Sequence, residues 1–316
     1  MRILLGMLAL TLLLLIPSLT VAKEPVHVFV LAGQSNMEGQ AVVDLDHPKY
    51  YNGGKGTLKH LLGDRKKAKQ FQHPRDGKGA WVERDDVFVR LRIRGGSKNK
   101  KLSIGFAGYP GRHHFGPELQ FGHILGDRIQ APILLIKTAW GGKSLHKDFR
   151  PPSAGGTTGE YYKRMLSEVQ EAIRNIPKDF PALANRKIKM AGFVWFQGWN
   201  DAFSDQGRKE YSANLVHLIQ DIRRDLKVPK LPVVIGELGN GGDKASPRII
   251  SIRKAQAKAA AHPEFKGNVA FAKTTNFARP AKESPNVGHG HHWFGNAESY
   301  FLIGDALGRK MLELLN

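Results

Sequence analysis

Short apolar runs alternate with longer segments whose apolar residues recur every three or four positions. Val26, Val28, Val30 and Leu31 open the first such run, rich in β-branched residues and broken by Ala32-Gly33. Comparable runs lie at Pro132–Thr138, Ile188–Phe196, Leu231–Ile235 and Val269–Thr274. Continuous apolar runs of this length suit strands buried on both faces. Between them, Met165, Leu166, Val169, Ile173 and Ile176 share one helical face, as do Tyr211, Leu215, Leu218, Ile222 and Leu226. Further helices are predicted from Pro117-Glu118 to Arg128, over Ser246–His262, and from Asn296 to Leu315. Five strands alternating with helices predict an α/β fold with a five-stranded parallel sheet covered on both faces.

Two stretches break the alternation. Met1-Arg2 precedes an apolar run to Pro17 and the small-residue site Leu19-Thr20-Val21-Ala22, the layout of a cleavable secretory leader over 1–22. The mature chain, 23–316, is then a single domain, secreted or periplasmic, with no membrane span. The second stretch, about 41–112, is rich in glycine and holds one strand-like alternation, Val87–Ile93. It is expected to form an inserted β-hairpin subdomain on the rim of the sheet. Lys55 to Lys101 carries 15 Lys and Arg against 5 Asp and Glu, half of the chain's net charge of +20. Such a surface suits an acidic polymer, a polysaccharide if the chain is exported; export argues against nucleic acid.

Cysteine is absent, which excludes disulfides, a thiol nucleophile and thiolate metal ligation. Gly142-Lys143-Ser144 lacks the glycine spacing of a phosphate-binding loop. Chemistry concentrates instead where the strands end. Right-handed crossovers bring the carboxyl ends of parallel strands to one rim, and ligands bind there. Gln34-Ser35-Asn36-Met37, Gly141-Gly142, Gln197–Asp201 and the late loop Gly288–Phe294 all belong to that rim. Acyl transfer needs a nucleophile, a base and donors for the oxyanion. Ser35 supplies the hydroxyl, its own N–H with that of Gly142 or Gly141 and the Asn200 amide supply donors, and a histidine supplies the base. His292 is favoured over His291 by its place before the closing helix; Gln34, Gln197, Trp199 and His291 are candidate substrate contacts. The histidines have no carboxylate near them in sequence and serine chemistry needs no metal, so neither metal nor cofactor is expected.

These blocks resemble those of the SGNH-type hydrolases, and within them the sialate O-acetylesterase-like carbohydrate esterases. Gly33-Gln34-Ser35-Asn36-Met37, Gly141–Ser144, Trp195–Asp201 and His292–Gly295 carry the likeness across residues 33–295. The resemblance implies a flavodoxin-like three-layer α/β/α sandwich and metal-free removal of small O-acyl groups, with Ser35, Gly142, Asn200 and His292 in the roles just given. It departs from the family at one point. The family commonly places an Asp three residues before the histidine, where this chain has His289. The ring is then held by a backbone carbonyl, giving a Ser-His dyad, or by a distant carboxylate such as Glu283 or Glu237. Unpaired, the base is expected to titrate near the ordinary histidine value of about 6.5. The expected function is a serine esterase removing O-acetyl groups from a carbohydrate. The alternative is a non-catalytic carbohydrate-binding module on a degenerate esterase fold.

Overall fold

Strand β1 (Val26–Gly33) lies at the centre of the molecule, and its alternation divides the core. Val26, Val28 and Val30 face one side of the sheet, while Phe29 and Leu31 face the other. The computed structural model describes residues 23–93 and 95–316. The leader expected over 1–22 lies outside the described residues.

The sheet contains β1, β2 (Val87–Ile93), β3 (Gly96–Lys101), β4 (Ile133–Ala139), β5 (Ile188–Phe196), β6 (Val233–Gly236) and β7 (Val269–Ala272). Their order is β3-β2-β4-β1-β5-β6-β7. All neighbours run parallel except β2 and β3, which form an antiparallel hairpin at one edge. The five strands legible in the sequence keep the flavodoxin-like order, in which the chain reverses direction across the sheet between β1 and β5.

The five-stranded expectation is thus corrected to seven strands. The 41–112 excursion does contain a hairpin at the edge of the sheet, but its first strand is built into the main sheet. Val87, Phe88, Val89 and Leu91 are buried, and β2 pairs with β4 from Val87 opposite Ile133 to Leu91 opposite Lys137. Arg90 is buried in the same strand because Glu171 (2.7 Å) and Asp179 (2.5 Å) accept from its guanidinium. Lysine-bearing β3 closes the edge, where charge discourages pairing with another chain.

Helices cover both faces. α2 (Glu118–Gly126) and α6 (Ala297–Leu315) pack Leu119, Phe121, Tyr300, Ile303 and Leu307 against Phe29 and Leu31. On the opposite face, α3 (Glu160–Arg174), α4 (Asp205–Asp225) and α5 (Pro247–Ala260) place Met165, Val169, Leu215, Leu218 and Ile252 against Val28 and Val30. The loops at the carboxyl ends of β1, β4 and β5, with the turn before α6, make one rim.

Candidate active site

Gly33 ends β1 at a φ of 153°, and a Cβ there would lie 2.1 Å from the Phe196 carbonyl oxygen on β5. Only glycine permits that approach. The chain then turns into α1 (Ser35–Glu38), so Ser35 opens a helical turn at the point where the strand order reverses. Its hydroxyl oxygen lies 3.0 Å from His292 Nε2.

His292 sits in the tight turn Gly290–Gly295 just before α6. Asn240 Nδ2 lies 3.1 Å from both the Gly290 and His291 carbonyls. Asn36 Nδ2 donates to the His291 carbonyl at 3.1 Å, and the Tyr300 hydroxyl donates to Asn36 Oδ1 at 2.6 Å. The residues flanking the serine and the histidine are therefore tied to each other through Asn36.

No hydrogen bond joins a carboxylate to His292 among the described residues. Glu237 instead accepts from the Thr274 N–H (2.7 Å), the Thr275 N–H (2.8 Å) and the Thr275 hydroxyl (2.9 Å). The His291 and His292 ring centroids are 4.0 Å apart, and that of His289 is 6.2 Å from His292. Burial, reinforced by repulsion from His291 and then His289, pushes the His292 imidazole down to about 4. The ordinary titration expected from the sequence is corrected accordingly. Among the described residues no group of three His, Cys, Asp or Glu side chains is arranged to hold a metal ion.

On the other side of Ser35, β4 ends in a turn where Gly142 takes a φ of +72°. Asn200 Nδ2 donates to the Gly142 carbonyl at 2.8 Å, which leaves its second N–H free of that bond. Gln34 braces this arrangement. Its Nε2 donates to Asn200 Oδ1 (3.1 Å), and its Oε1 accepts from the Gly198 and Asn200 N–H groups (3.2 and 3.4 Å). Asp201, fully buried, accepts from the Leu145 and His146 N–H groups and so pins the β4 loop to the β5 loop.

A cavity of about 500 Å³ opens over Ser35. Gln34, Gly142, Trp199, Asn200, His291 and His292 line it as the sequence places them, with the Trp199 and His291 ring centroids 5.8 Å apart. Gln197 is not brought to it. That side chain is buried, donating to the Lys143 carbonyl (3.0 Å) and to Asp201 (2.6 Å). It follows an inward-facing strand position, and its polar atoms are spent on the loops behind the cavity.

Four lining residues were not singled out from the sequence: Glu38, Gln40, Gly108 and Tyr109. Gln40 Nε2 donates to the Ser35 carbonyl (3.3 Å), and the Tyr109 hydroxyl donates to Gln40 Oε1 (2.7 Å). Burial pushes the Glu38 carboxyl above its ordinary value, opposed by the Lys137 charge and the Gly141 N–H. The place of Glu38 at the far end of α1 was a usable signal, since i and i+3 share a helix face. Nothing local marks Gly108 and Tyr109. Beneath α1, the fully buried Lys137 ammonium donates to Glu118 (2.7 Å), the Glu38 carbonyl (2.9 Å) and the Phe106 carbonyl (2.5 Å).

A family profile described as carbohydrate esterase, sialic acid-specific acetylesterase, matches residues 25–312. The chain belongs to this family of carbohydrate esterases. A protein of Arabidopsis thaliana described as a probable carbohydrate esterase is 24% identical to this family member over 229 residues, 72% of this chain and 74% of that one. Among solved structures, an Arabidopsis thaliana protein superposes with a TM-score of 0.57 at 18% identity, covering 91% of this chain and 98% of that one. A carbohydrate acetylesterase from Xanthomonas citri gives 0.54 at 16%, covering 90% of this chain and 55% of that one. Both structures share this chain's fold.

Proposed function

We propose that this protein is a serine esterase that removes O-acetyl groups from a carbohydrate, working through a Ser35–His292 dyad. The observation that carries this is the 3.0 Å approach of His292 Nε2 to the Ser35 hydroxyl in the floor of an open cavity. That distance lets a neutral imidazole take the hydroxyl proton as the oxygen attacks the ester carbonyl. The tetrahedral oxyanion is met by the Ser35 N–H, the Gly142 or Gly141 N–H and the free N–H of the Asn200 amide. His292 returns the proton to the departing sugar oxygen and leaves an acetyl group on Ser35. It then deprotonates water to release acetate and restore the serine.

The missing acid has a definite consequence. A base pushed down to about 4 is fully neutral near pH 7, hence available, but intrinsically weaker. The ring is held by its own turn and by contact with His291 instead of by a carboxylate. Trp199 and His291 form the aromatic wall against which a sugar ring would lie. Export through the 1–22 leader would give the enzyme access to polysaccharide.

The test is acetate release from para-nitrophenyl acetate, O-acetylated sialic acid and acetylated xylo-oligosaccharides. Turnover of the aryl ester and at least one sugar ester is expected. Sugar binding with no hydrolysis of any ester would replace this account with a carbohydrate-binding module.

A further inference from the structure

The turn that carries His292 has a second side. A separate cavity of about 840 Å³ opens there, lined by Trp293, Phe294 and Gly290 of the same turn and by residues of the loops after β6 and β7. His291 and His292 line the cavity over Ser35, so one turn forms a wall of both.

Two features mark this wall of the turn. Trp293 and Phe294 both adopt left-handed backbone conformations, with φ of 52° and 54°. Consecutive non-glycine residues in that region are strained, and such strain collects at ligand clamps and active sites. Trp293 is 3% exposed, yet its indole N–H has no hydrogen-bond partner among the described residues. A buried donor left unpaired is costly.

The rest of the lining indicates what that ligand is. Phe294, Ala278 and Pro280 give the lining apolar surface, and the exposed Asp243, Lys244 and Asn276 give it donors and acceptors. Arg279 also lines it, but its guanidinium is already engaged by Glu298 at 2.9 Å. Asp243 beside Lys244 leaves the rim with both signs of charge, which does not select an anion. Apolar side chains beside donors and acceptors suit a pyranose, with its C–H face and its edge of hydroxyls.

Accepting the carbohydrate esterase reading, we propose that this cavity is a second sugar subsite. It holds an uncharged ring of the same glycan whose acetyl group sits at Ser35, with the glycan lying across the 290–294 turn. The esterase then favours acetylated oligosaccharides over the corresponding monosaccharides.

The experiment compares kcat/KM for para-nitrophenyl acetate with that for acetylated mono- and oligosaccharides of xylose and glucose, whose rings are uncharged. Wild-type enzyme and the Lys244→Ala, Asn276→Ala and Phe294→Leu variants are used. Wild type should favour at least one oligosaccharide over its monosaccharide by about tenfold or more, the worth of one good contact. The two rim variants should lose most of that preference through KM, with aryl-ester turnover unchanged. Phe294→Leu, which keeps the apolar volume but removes the flat ring, should do the same. If no oligosaccharide is preferred although the aryl ester is hydrolysed, or if the preference survives all three substitutions, the subsite is refuted. Failure to hydrolyse the aryl ester would instead count against the esterase reading.

Discussion

Asn36 donates to the His291 carbonyl at 3.1 Å while its own side-chain oxygen accepts from the Tyr300 hydroxyl at 2.6 Å. One buried amide thus sets the separation between the turn that carries Ser35 and the turn that carries His292. Tyr300→Phe removes a single donor and leaves Asn36 Oδ1 unpaired. The expected cost is about 1–2 kcal/mol of stability by urea unfolding. In aryl-ester assays kcat should fall about tenfold with KM little changed, since a small misplacement of the base acts on the chemical step. Unchanged kcat would mean that the turn holds its position without this link.

The acid limb of activity should lie unusually low. In the proposed mechanism His292 acts as a base only when neutral, and its imidazole is pushed down to about 4 by burial and by His291 and His289. The kcat/KM profile should therefore rise through about pH 4 and stay level past neutrality, where an unperturbed histidine would give a midpoint near 6.5. A midpoint above 6.5 would reveal a carboxylate paired with the ring.

Stability follows the same sign. His292 and His114 are pushed down to about 4 and His123 to about 3, each chiefly by burial. Between those values and about 6.5, the unfolded chain binds protons that the folded chain does not. Their contribution is complete above about pH 6.5 and is lost progressively as pH falls toward 4. Tm measured across that interval should drop on acidification, and His123→Phe should flatten the drop.

Lys137 and Glu118 form an ion pair with no solvent exposure of either side chain. Lys137→Met leaves the Glu118 carboxylate buried without its cation and frees the Glu38 and Phe106 carbonyls. The expected loss is about 3–5 kcal/mol in denaturant unfolding. Lys137→Met with Glu118→Gln should recover part of it, and a double variant no better than the single one would show that the carbonyl contacts dominate.

Asn200→Ala removes the proposed oxyanion donor and the bond to the Gly142 carbonyl together. A fall of about a hundred- to a thousandfold in kcat with KM nearly constant is expected, because the donor acts mainly in the transition state. A sharp rise in KM with kcat intact would make Asn200 a substrate contact instead.

How much of this was legible depended on whether the signal was local. The five runs beginning at Val26, Pro132, Ile188, Leu231 and Val269 appear as β1, β4, β5, β6 and β7 because parallel burial leaves a continuous apolar imprint. Val87–Ile93 was readable as a strand, but its partner was not. It pairs with β4, more than forty residues away, and buries Arg90 against Glu171 and Asp179, some 80–90 residues away. At the site, Ser35, Gly142, Asn200 and His292 stood out through their blocks, and the structure brings them around one cavity. Gln197 looked equally exposed in sequence, yet Asp201 and the Lys143 carbonyl draw it inward. Gly108 and Tyr109 reach the cavity from the excursion, whose course no periodicity describes.

The central claim is that Ser35 is the nucleophile and His292 its base. Steady-state hydrolysis of para-nitrophenyl acetate by wild type, Ser35→Ala, His292→Ala and the double variant tests it most directly. Each single substitution should lower kcat by at least about a thousandfold, and the double variant should be little worse than either, because the two groups act as one unit. Retention of most activity by Ser35→Ala, in a protein that folds normally by circular dichroism, would contradict the account.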